Sequence, residues 1–188
     1  MIFHSTSSEG IGSARAKATI GSNILVTISN SGNIDIKPKI SIFSTRGGFT
    51  LGQNVKFYDS SDKIPVVLTV VNKGKNMMKP EGQISLKGNF GETAKYDIIS
   101  KNILAESERL IEATPSADLS SRIYHPSSLV LSGFFIGKYS LSTQMKFGEN
   151  SPMIFGSTVF YAFPFKIMGG IILATIIIVF IIKRRKEE

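Results

Sequence analysis

The stretch that decides the fold class reads YSLSTQMKF and runs from Tyr139 to Phe147. Apolar residues occupy its odd-numbered positions apart from Thr143, and polar residues occupy the even-numbered ones. Because successive side chains of a strand point to opposite faces of a sheet, this alternation predicts a strand with one buried face and one solvated face.

Several other segments show a similar pattern between turn-forming sequences rich in Gly, Asn, Asp and Pro. In the segment 64–71 we expect Val66, Leu68 and Val70 to be buried. Many short strands separated by such turns are typical of an all-β sandwich. We therefore predict an Ig-like β-sandwich over residues 46–162, and the predicted strands are 24–29, 40–44, 64–71, 83–87, 94–99, 109–113, 139–147 and 153–160.

Residues 1–45 are predicted to be the closing strands of a preceding, truncated β-domain, because two or three strands alone do not form a stable unit. The first residues, MIFHST, contain neither the basic region nor the apolar stretch of a secretory signal. Two alternatives remain. The chain is the carboxyl part of a longer secreted precursor, or it is a tail-anchored protein whose bulk lies in the cytoplasm.

The carboxyl end contains an uncharged apolar run over residues 167–182. Lys166 can extend its side chain towards the headgroups, so we predict a single transmembrane helix over residues 163–182. A buried core helix is the alternative. Such a helix seldom ends in four consecutive cations, and it seldom lacks a polar stripe. The predicted anchor residues at the two ends of the span are Phe163, Phe165, Lys166, Lys183, Arg184, Arg185 and Lys186.

The charge distribution predicts the orientation of this helix. Four basic residues follow the apolar run and one precedes it, which places the tail 183–188 in the cytoplasm and the amino-terminal bulk outside the cell membrane. This asymmetry favours the secreted precursor over the tail-anchored alternative. We therefore expect a single-pass protein of the cell membrane, with the lipid bilayer as one partner.

Composition excludes several function classes. The 188 residues include 22 Lys+Arg against 14 Asp+Glu, for a formal net charge of +8, and no Cys. Without Lys166 and the six C-terminal residues, 17 Lys+Arg remain against 12 Asp+Glu. This mild excess suits anionic wall polymers or lipid headgroups and falls short of a nucleic-acid-binding surface. The lack of Cys rules out disulfides, thiolate metal sites and a Cys nucleophile.

The sequence contains no pattern that predicts catalysis. The two histidines, His4 and His125, have no neighbouring ligands at metal-binding spacing, and the sequence has no nucleophile elbow or phosphate-binding loop. Glu106 and Glu108 are expected to share the solvated face of an edge strand. We predict a non-enzymatic protein with no catalytic residue, no cofactor and no metal.

The loop KGKNMMK, residues 73–79, is the candidate binding feature. Lys73, Lys75 and Lys79 are predicted to contact an anionic polymer, with Met77 and Met78 adding apolar surface. The alternative is a solvated turn whose methionines cap the sandwich. In the apolar helix, Gly170 and Ala174 are spaced as small residues in helix dimers, although this spacing occurs once.

Three motifs occur in order along the chain: VNKG from Val71, KPEGQISL from Lys79, and GKYSL from Gly137. Phe163-Pro164-Phe165 and the basic end follow them. Over residues 50–188, and more loosely over 1–45, this layout resembles bacterial surface proteins with tandem Ig-like domains, and it is similar to that of the WxL-interacting proteins of Gram-positive cell walls. The resemblance implies binding or adhesion to a cell-wall polymer or another surface protein. An accessory or assembly subunit of a membrane complex is the alternative function.

Overall fold

The computed structural model describes residues 2–4, 19–21, 34–52, 55–114, 127–148 and 151–187. These residues form strands and one C-terminal helix. In chain order the elements are β1 (Ile2–His4), β2 (Thr19–Gly21), β3 (Pro38–Thr45), β4 (Phe49–Leu51), β5 (Val55–Asp59), β6 (Ile64–Asn72), β7 (Glu81–Gly88), β8 (Thr93–Asp97), β9 (Glu108–Leu110), β10 (Leu129–Leu131), β11 (Gly137–Lys146), β12 (Ile154–Phe163) and α1 (Phe165–Glu187).

The chain divides into two compact units, Met1–Ile34 and Asp35–Glu188. In the first unit, β1 and β2 form an antiparallel pair. Strand β3 belongs to the second unit, where it pairs with β6 along most of its length. The second unit therefore begins at Asp35, whereas the sandwich is predicted to begin at residue 46. For residues 1–34, membership of a preceding domain stays a prediction, and the strand predicted at 24–29 lies outside the described residues.

Strand β6 is the centre of a four-stranded antiparallel sheet in the second unit. It pairs with β3 on one edge and with β10 and β9, one after the other, on its other edge. Six of its nine residues are buried, including the predicted Val66, Leu68 and Val70. A strand covered on both faces favours the β-branched and aliphatic side chains that this segment supplies.

A second sheet has six strands in the order β4-β5-β12-β11-β7-β8. Its strand pairs are antiparallel except for β5 and β12, which run parallel. In β11 the burial alternates as predicted, with Tyr139, Leu141, Thr143 and Met145 inside. Phe147, one residue beyond the strand, is also buried.

One hydrophobic cluster receives side chains from both sheets. Burial of a large aliphatic or aromatic side chain contributes about 1.5–3 kcal/mol to stability, so this shared core holds the two sheets together. Its fully buried members include Leu68 and Val70 from β6, Ile84 from β7, Leu141 and Met145 from β11, and Phe160 from β12.

Some predicted strands are shorter or absent, and others were missed. Strand β8 ends at Asp97, and the predicted strand 109–113 becomes β9, which ends at Leu110. Ile98, one residue beyond β8, and Ala113, three residues beyond β9, form an isolated bridge. Strands β4, β5 and β10 were not predicted.

The helix α1 follows β12 after the single residue Pro164. Its candidate span Phe165–Lys186 has 22 residues, with the uncharged run 167–182 between Lys166 and the basic residues, and it is exposed. At ~1.5 Å per residue it is about 33 Å long, enough to cross a hydrocarbon core of about 30 Å. The helix begins two residues later than predicted, because Phe163 completes β12.

Candidate functional site: the helix junction and the distal loop

The junction between β12 and α1 is closed by hydrogen bonds from a neighbouring strand end. The carbonyl of Pro164 accepts the first helical hydrogen bond, from Met168 N at 3.0 Å, so Pro164 is the N-cap residue. A proline side chain cannot accept a bond from the helix N–H groups. Asp59 supplies that acceptor, because its Oδ2 lies 2.9 Å from Lys166 N.

Parallel pairing places Asp59 at the helix. The register of β5 and β12 sets Asp59 opposite Phe163, and Ser60 N donates to Phe163 O at 3.0 Å. The carboxylate of Asp59 also accepts from Ser61 N and Ser61 Oγ. These hydrogen bonds, with that from Lys166 N, lower the pKa of Asp59 from 3.8 to about 2, so the group is ionised at neutral pH.

The side chain of Lys166 extends back from the helix to the strands of the second unit, which we call the β domain. Its Nζ lies 2.5 Å from Asp62 Oδ1 and 3.7 Å from Asp59 Oδ1. A carboxylate at a helix N-terminus is favourable because the terminal N–H groups carry partial positive charge. The first turn of α1 is therefore joined to the β domain through both its backbone and its side chain.

The other predicted anchor residues lie at the two ends of α1. Phe163 is the last residue of β12, where its ring centroid lies 6.3 Å from that of Phe57 and 6.0 Å from that of Phe165. Lys183, Arg184, Arg185 and Lys186 lie in the last turns of the helix, which continues to Glu187, so the tail expected at 183–188 is largely helical. Cations there complement the partial negative charge of the helix C-terminus.

The loop of residues 73–80, which we call the distal loop, is organised by one buried amide. Asn72 is fully buried, and its Oδ1 accepts from Gly74 N at 2.9 Å. Its Nδ2 donates to Asn76 O at 2.8 Å and to Leu104 O at 3.1 Å. The side chain of Asn72 therefore replaces the backbone partners that the chain loses where β6 ends.

The distal loop exposes its three lysines and buries one of its methionines. Lys73, Lys75 and Lys79 are exposed, and within the described residues no carboxylate lies within ion-pair distance of them. Met78 belongs to the core and bridges to Ile103. Burial of Met78 therefore agrees with the alternative in which the methionines cap the core, and it does not agree with exposed apolar surface from both methionines.

The junction and the distal loop lie at opposite ends of the second unit. Strand β6 begins four residues after Ser60, which is bonded to the end of β12, and it ends at Asn72. Nine residues at about 3.3 Å each separate the two ends by roughly 30 Å. The lysines therefore lie far from the start of α1.

Two open clefts of about 260 and 310 Å³ indent the second unit. The first is lined by the ion pair of Glu81 and Lys146, and the second by Arg46, Tyr58 and Asp62 among others. Among the described residues, neither lining includes His, Cys, Ser or Thr. In the part of the chain that the structure describes, no group of three His, Cys, Asp or Glu side chains is placed to hold a metal.

The remaining candidates from the sequence are placed as follows. Glu106 has a positive φ of 53° in a turn before β9, so it does not share a strand face with Glu108 as expected. The side chains of His4 and His125 lie outside the described residues.

Sequence reasoning missed Asp59 as a functional residue and did not assign a role to Asn72. The only signal for Asp59 is the polar run DSSD at residues 59–62, which ends an apolar segment. Asn72 belongs to the quoted VNKG motif, but its partners at Asn76 and Leu104 cannot be read from the motif.

Comparison with protein families, with curated proteins and with solved structures found no match for this chain. The resemblance to WxL-interacting proteins therefore stays a prediction.

Proposed function

We propose that this chain is a non-enzymatic, single-pass membrane protein whose Ig-like β-sandwich stands outside the cell membrane and binds a cell-wall or cell-surface partner. The sandwich is supported by two sheets that share one core. The observation that carries the proposal is the junction, where one residue and the carboxylate of Asp59 connect β12 to an apolar helix.

The orientation follows from the basic residues. Lys183–Lys186 at the end of the helix outnumber Lys166 at its start, and Lys166 is paired with the β domain. By the positive-inside rule the helix end faces the cytoplasm and the β domain faces outward.

Labelling of single cysteines tests this orientation, since the chain has no Cys of its own. We expect Lys75→Cys to react with a membrane-impermeant maleimide on intact cells, and Glu188→Cys to react only after permeabilisation. Labelling of Glu188→Cys and protection of Lys75→Cys on intact cells would show a tail-anchored cytoplasmic protein instead.

The binding partner proposed for the distal loop is an anionic cell-wall polymer. Lys73, Lys75 and Lys79 are exposed cations at the end farthest from the helix, and nearby acids such as Asp35 and Glu81 are engaged by Lys37 and Lys146. Two exposed acids lie near the lysines: Glu106, whose N–H donates to Gly74 O, and Glu108, which pairs opposite Val71. Attraction to a polyanion would therefore be moderate and sensitive to salt.

The test compares two triple variants of the full chain in phosphatidylcholine nanodiscs. We expect Lys73→Ala/Lys75→Ala/Lys79→Ala to lose most of its co-sedimentation with isolated cell walls at low salt. The control Lys63→Ala/Lys87→Ala/Lys95→Ala removes the same charge from exposed positions outside the loop and should keep it. Equal binding by both variants would exclude the distal loop as the contact.

A subunit of a membrane complex is the second candidate, favoured by an aromatic stripe that leads to the helix. Phe57 stacks on Tyr161 at 5.3 Å on the outer face of the six-stranded sheet, and Phe163 and Phe165 continue the stripe. Replacing the apolar residues of α1 by a polyleucine span distinguishes the two functions. Loss of a native complex, as measured by its mass in mild detergent, would favour the subunit.

A further inference from the structure

Three apolar side chains are exposed at the end of the second unit where α1 begins. Phe90 is 76% exposed, Phe134 is 57% exposed and Ile136 is 41% exposed. We call these three residues the proximal surface. They lie on two loops, one between β7 and β8 and one between β10 and β11.

Strand register brings both loops to the level of the junction. Gly137 of β11 pairs with Ala162 of β12, two residues before Pro164, so the loop that enters β11 lies beside the end of β12. Gly88 of β7 pairs with Tyr139 of β11, so the following turn lies at the same end. The ring of Phe90 is close to Gly137, since a Cβ placed there would fall 3.7 Å from Phe90 Cε2.

A hydrogen-bonded network fixes the two loops to each other. The hydroxyl of Tyr139 accepts from Ile136 N at 3.3 Å and donates to Glu92 Oε1 at 3.2 Å. The other oxygen of Glu92 accepts from Phe90 N at 3.0 Å. Glu92 and the hydroxyl of Tyr139 therefore connect the turn that carries Phe90 to the loop that carries Ile136.

Packing keeps Phe134 and Ile136 turned outward. Phe135 between them is buried, and its ring lies edge-on to Tyr139 at 5.3 Å and to Phe160 at 6.2 Å. Its N–H donates to Ser60 O at 2.9 Å, next to the junction. Phe134 and Ile136 on either side of it are exposed, so the loop places Phe135 in the core and its two neighbours on the surface.

We propose that the proximal surface inserts into the interface of the bilayer that α1 crosses. This inference rests on the proposed single-pass anchoring. The occupant is argued from continuity: Phe163 and Phe165 at the start of the apolar helix are exposed at the same end, and aromatic side chains favour the headgroup level. Lys87 and Lys138, both exposed and beside these loops, have no carboxylate within ion-pair distance among the described residues and are placed to meet anionic headgroups.

Single tryptophans test the proposal directly, because the chain has none of its own. The full chain is reconstituted in vesicles of phosphatidylcholine and phosphatidylglycerol, with bromine placed on the lipid tails either near the headgroup or near the tail end. We expect Phe90→Trp and Phe134→Trp to be quenched more by the shallow bromine than by the deep bromine.

Two further variants separate failure of this inference from failure of the anchoring. Ile176→Trp, in the middle of α1, should be quenched most by the deep bromine, and Lys75→Trp in the distal loop by neither. If Ile176→Trp behaves as expected while Phe90→Trp and Phe134→Trp escape both lipids, the helix spans the bilayer and the proximal surface does not insert. If Ile176→Trp also escapes, the anchoring itself is wrong.

A soluble quencher identifies what covers the proximal surface when lipid does not. Quenching of Phe90→Trp and Phe134→Trp by acrylamide alone would show a solvated surface, and protection from both quenchers would show a protein partner or a second copy. Either result overturns the proposal. Ile136→Trp serves as a replacement if one of the other variants loses the β-sheet circular dichroism of the parent.

Discussion

At the helix end of the second unit the loops expose three large apolar side chains, Phe90, Phe134 and Ile136, whereas the distal loop at the far end exposes three lysines. At both ends, nevertheless, the side chain of a buried residue accepts a hydrogen bond from a backbone N–H of the loop. At the helix end Tyr139 binds Ile136 N, and at the far end Asn72 binds Gly74 N. The comparison teaches that one type of hydrogen-bonded support can present either an apolar or a cationic surface.

The largest effect is expected from removing the aromatic core beneath the helix end. Phe160 is fully buried and its ring contacts those of Tyr58, Phe135 and Tyr139. We expect Phe160→Ala to lower the free energy of unfolding by about 4 kcal/mol, because it removes buried area and leaves a cavity. Urea titration of the full chain in micelles, followed by circular dichroism, measures the change.

The matched control for Phe160 lies on the same strand. Phe155 is exposed, so Phe155→Ala should change the free energy of unfolding by less than about 0.5 kcal/mol. Similar losses for the two variants would contradict the assignment of the inner and outer faces of β12.

The second largest effect on stability is expected from removing the side chain of Asn72, which holds the distal loop in place. Asn72→Ala leaves Gly74 N and Asn76 O without the partner that Asn72 supplies, whereas Leu104 O keeps its hydrogen bond from Ser107 Oγ at 2.8 Å. We expect a loss of about 3 kcal/mol in the free energy of unfolding, since buried unsatisfied polar groups cost about 1–3 kcal/mol each. The exposed Asn89→Ala is the control and should be nearly neutral in the same titration. A loss below about 1 kcal/mol for Asn72→Ala would show that water or other groups replace the amide.

A third prediction concerns pH and the junction. The pKa of Asp59 is about 2 in the folded chain against an ordinary value of 3.8, so its ionised form stabilises the fold. This contribution is complete above the ordinary pKa and is lost as the pH falls through the folded value. We expect Asp59→Asn to be less stable than the parent at neutral pH, with the difference shrinking as the pH falls from about 4 to about 2.

Thermal unfolding of the parent and Asp59→Asn across this pH range measures the difference. The exposed Asp97→Asn, which carries no such set of hydrogen bonds in the described residues, is the control. A difference that stayed constant down to about pH 2 would mean that Asp59 stabilises the junction through shape and not through charge.

The smallest effect on stability is expected from the lysines of the distal loop. They are exposed and lie outside the ion pairs of the described residues, so each Lys→Ala change should alter the free energy of unfolding by less than about 0.5 kcal/mol. The same urea titration applied to Lys73→Ala/Lys75→Ala/Lys79→Ala measures this. A large loss would assign the lysines to the support of the loop rather than to its surface.

The sequence predicted the strands in which an alternating or a continuous apolar pattern is long. Strand β11 and the apolar β6 are confirmed, and so is a C-terminal helix long enough to cross a membrane. Strand β5 was missed because Tyr58 and Asp59 are both buried, which breaks the alternation. Strands β4 and β10 have three residues each, too few to show a period.

The candidate site was predictable only where it depends on local sequence. The apolar run predicted the positions of Phe165 and of the basic residues after position 182 at the ends of the helix. The polar composition of the loop 73–79 predicted that its lysines are exposed. Asp59 binds Lys166 at a separation of 107 residues, and Tyr139 binds Glu92 at a separation of 47. Such pairs depend on strand order and on the parallel register of β5 and β12, which alternation does not encode.

The direct passage from β12 into α1 has a mechanical consequence. A force that pulls the folded domain away from a membrane in which α1 is held would act on the end of β12. Nine residues of β12 are paired with β11 on one side, and β5 pairs with β12 on the other. Force in that direction loads the hydrogen bonds of the ladder together, in shear, whereas a pull at a free edge would open them one at a time. The strand that leads into the apolar helix is therefore also well placed to bear tension.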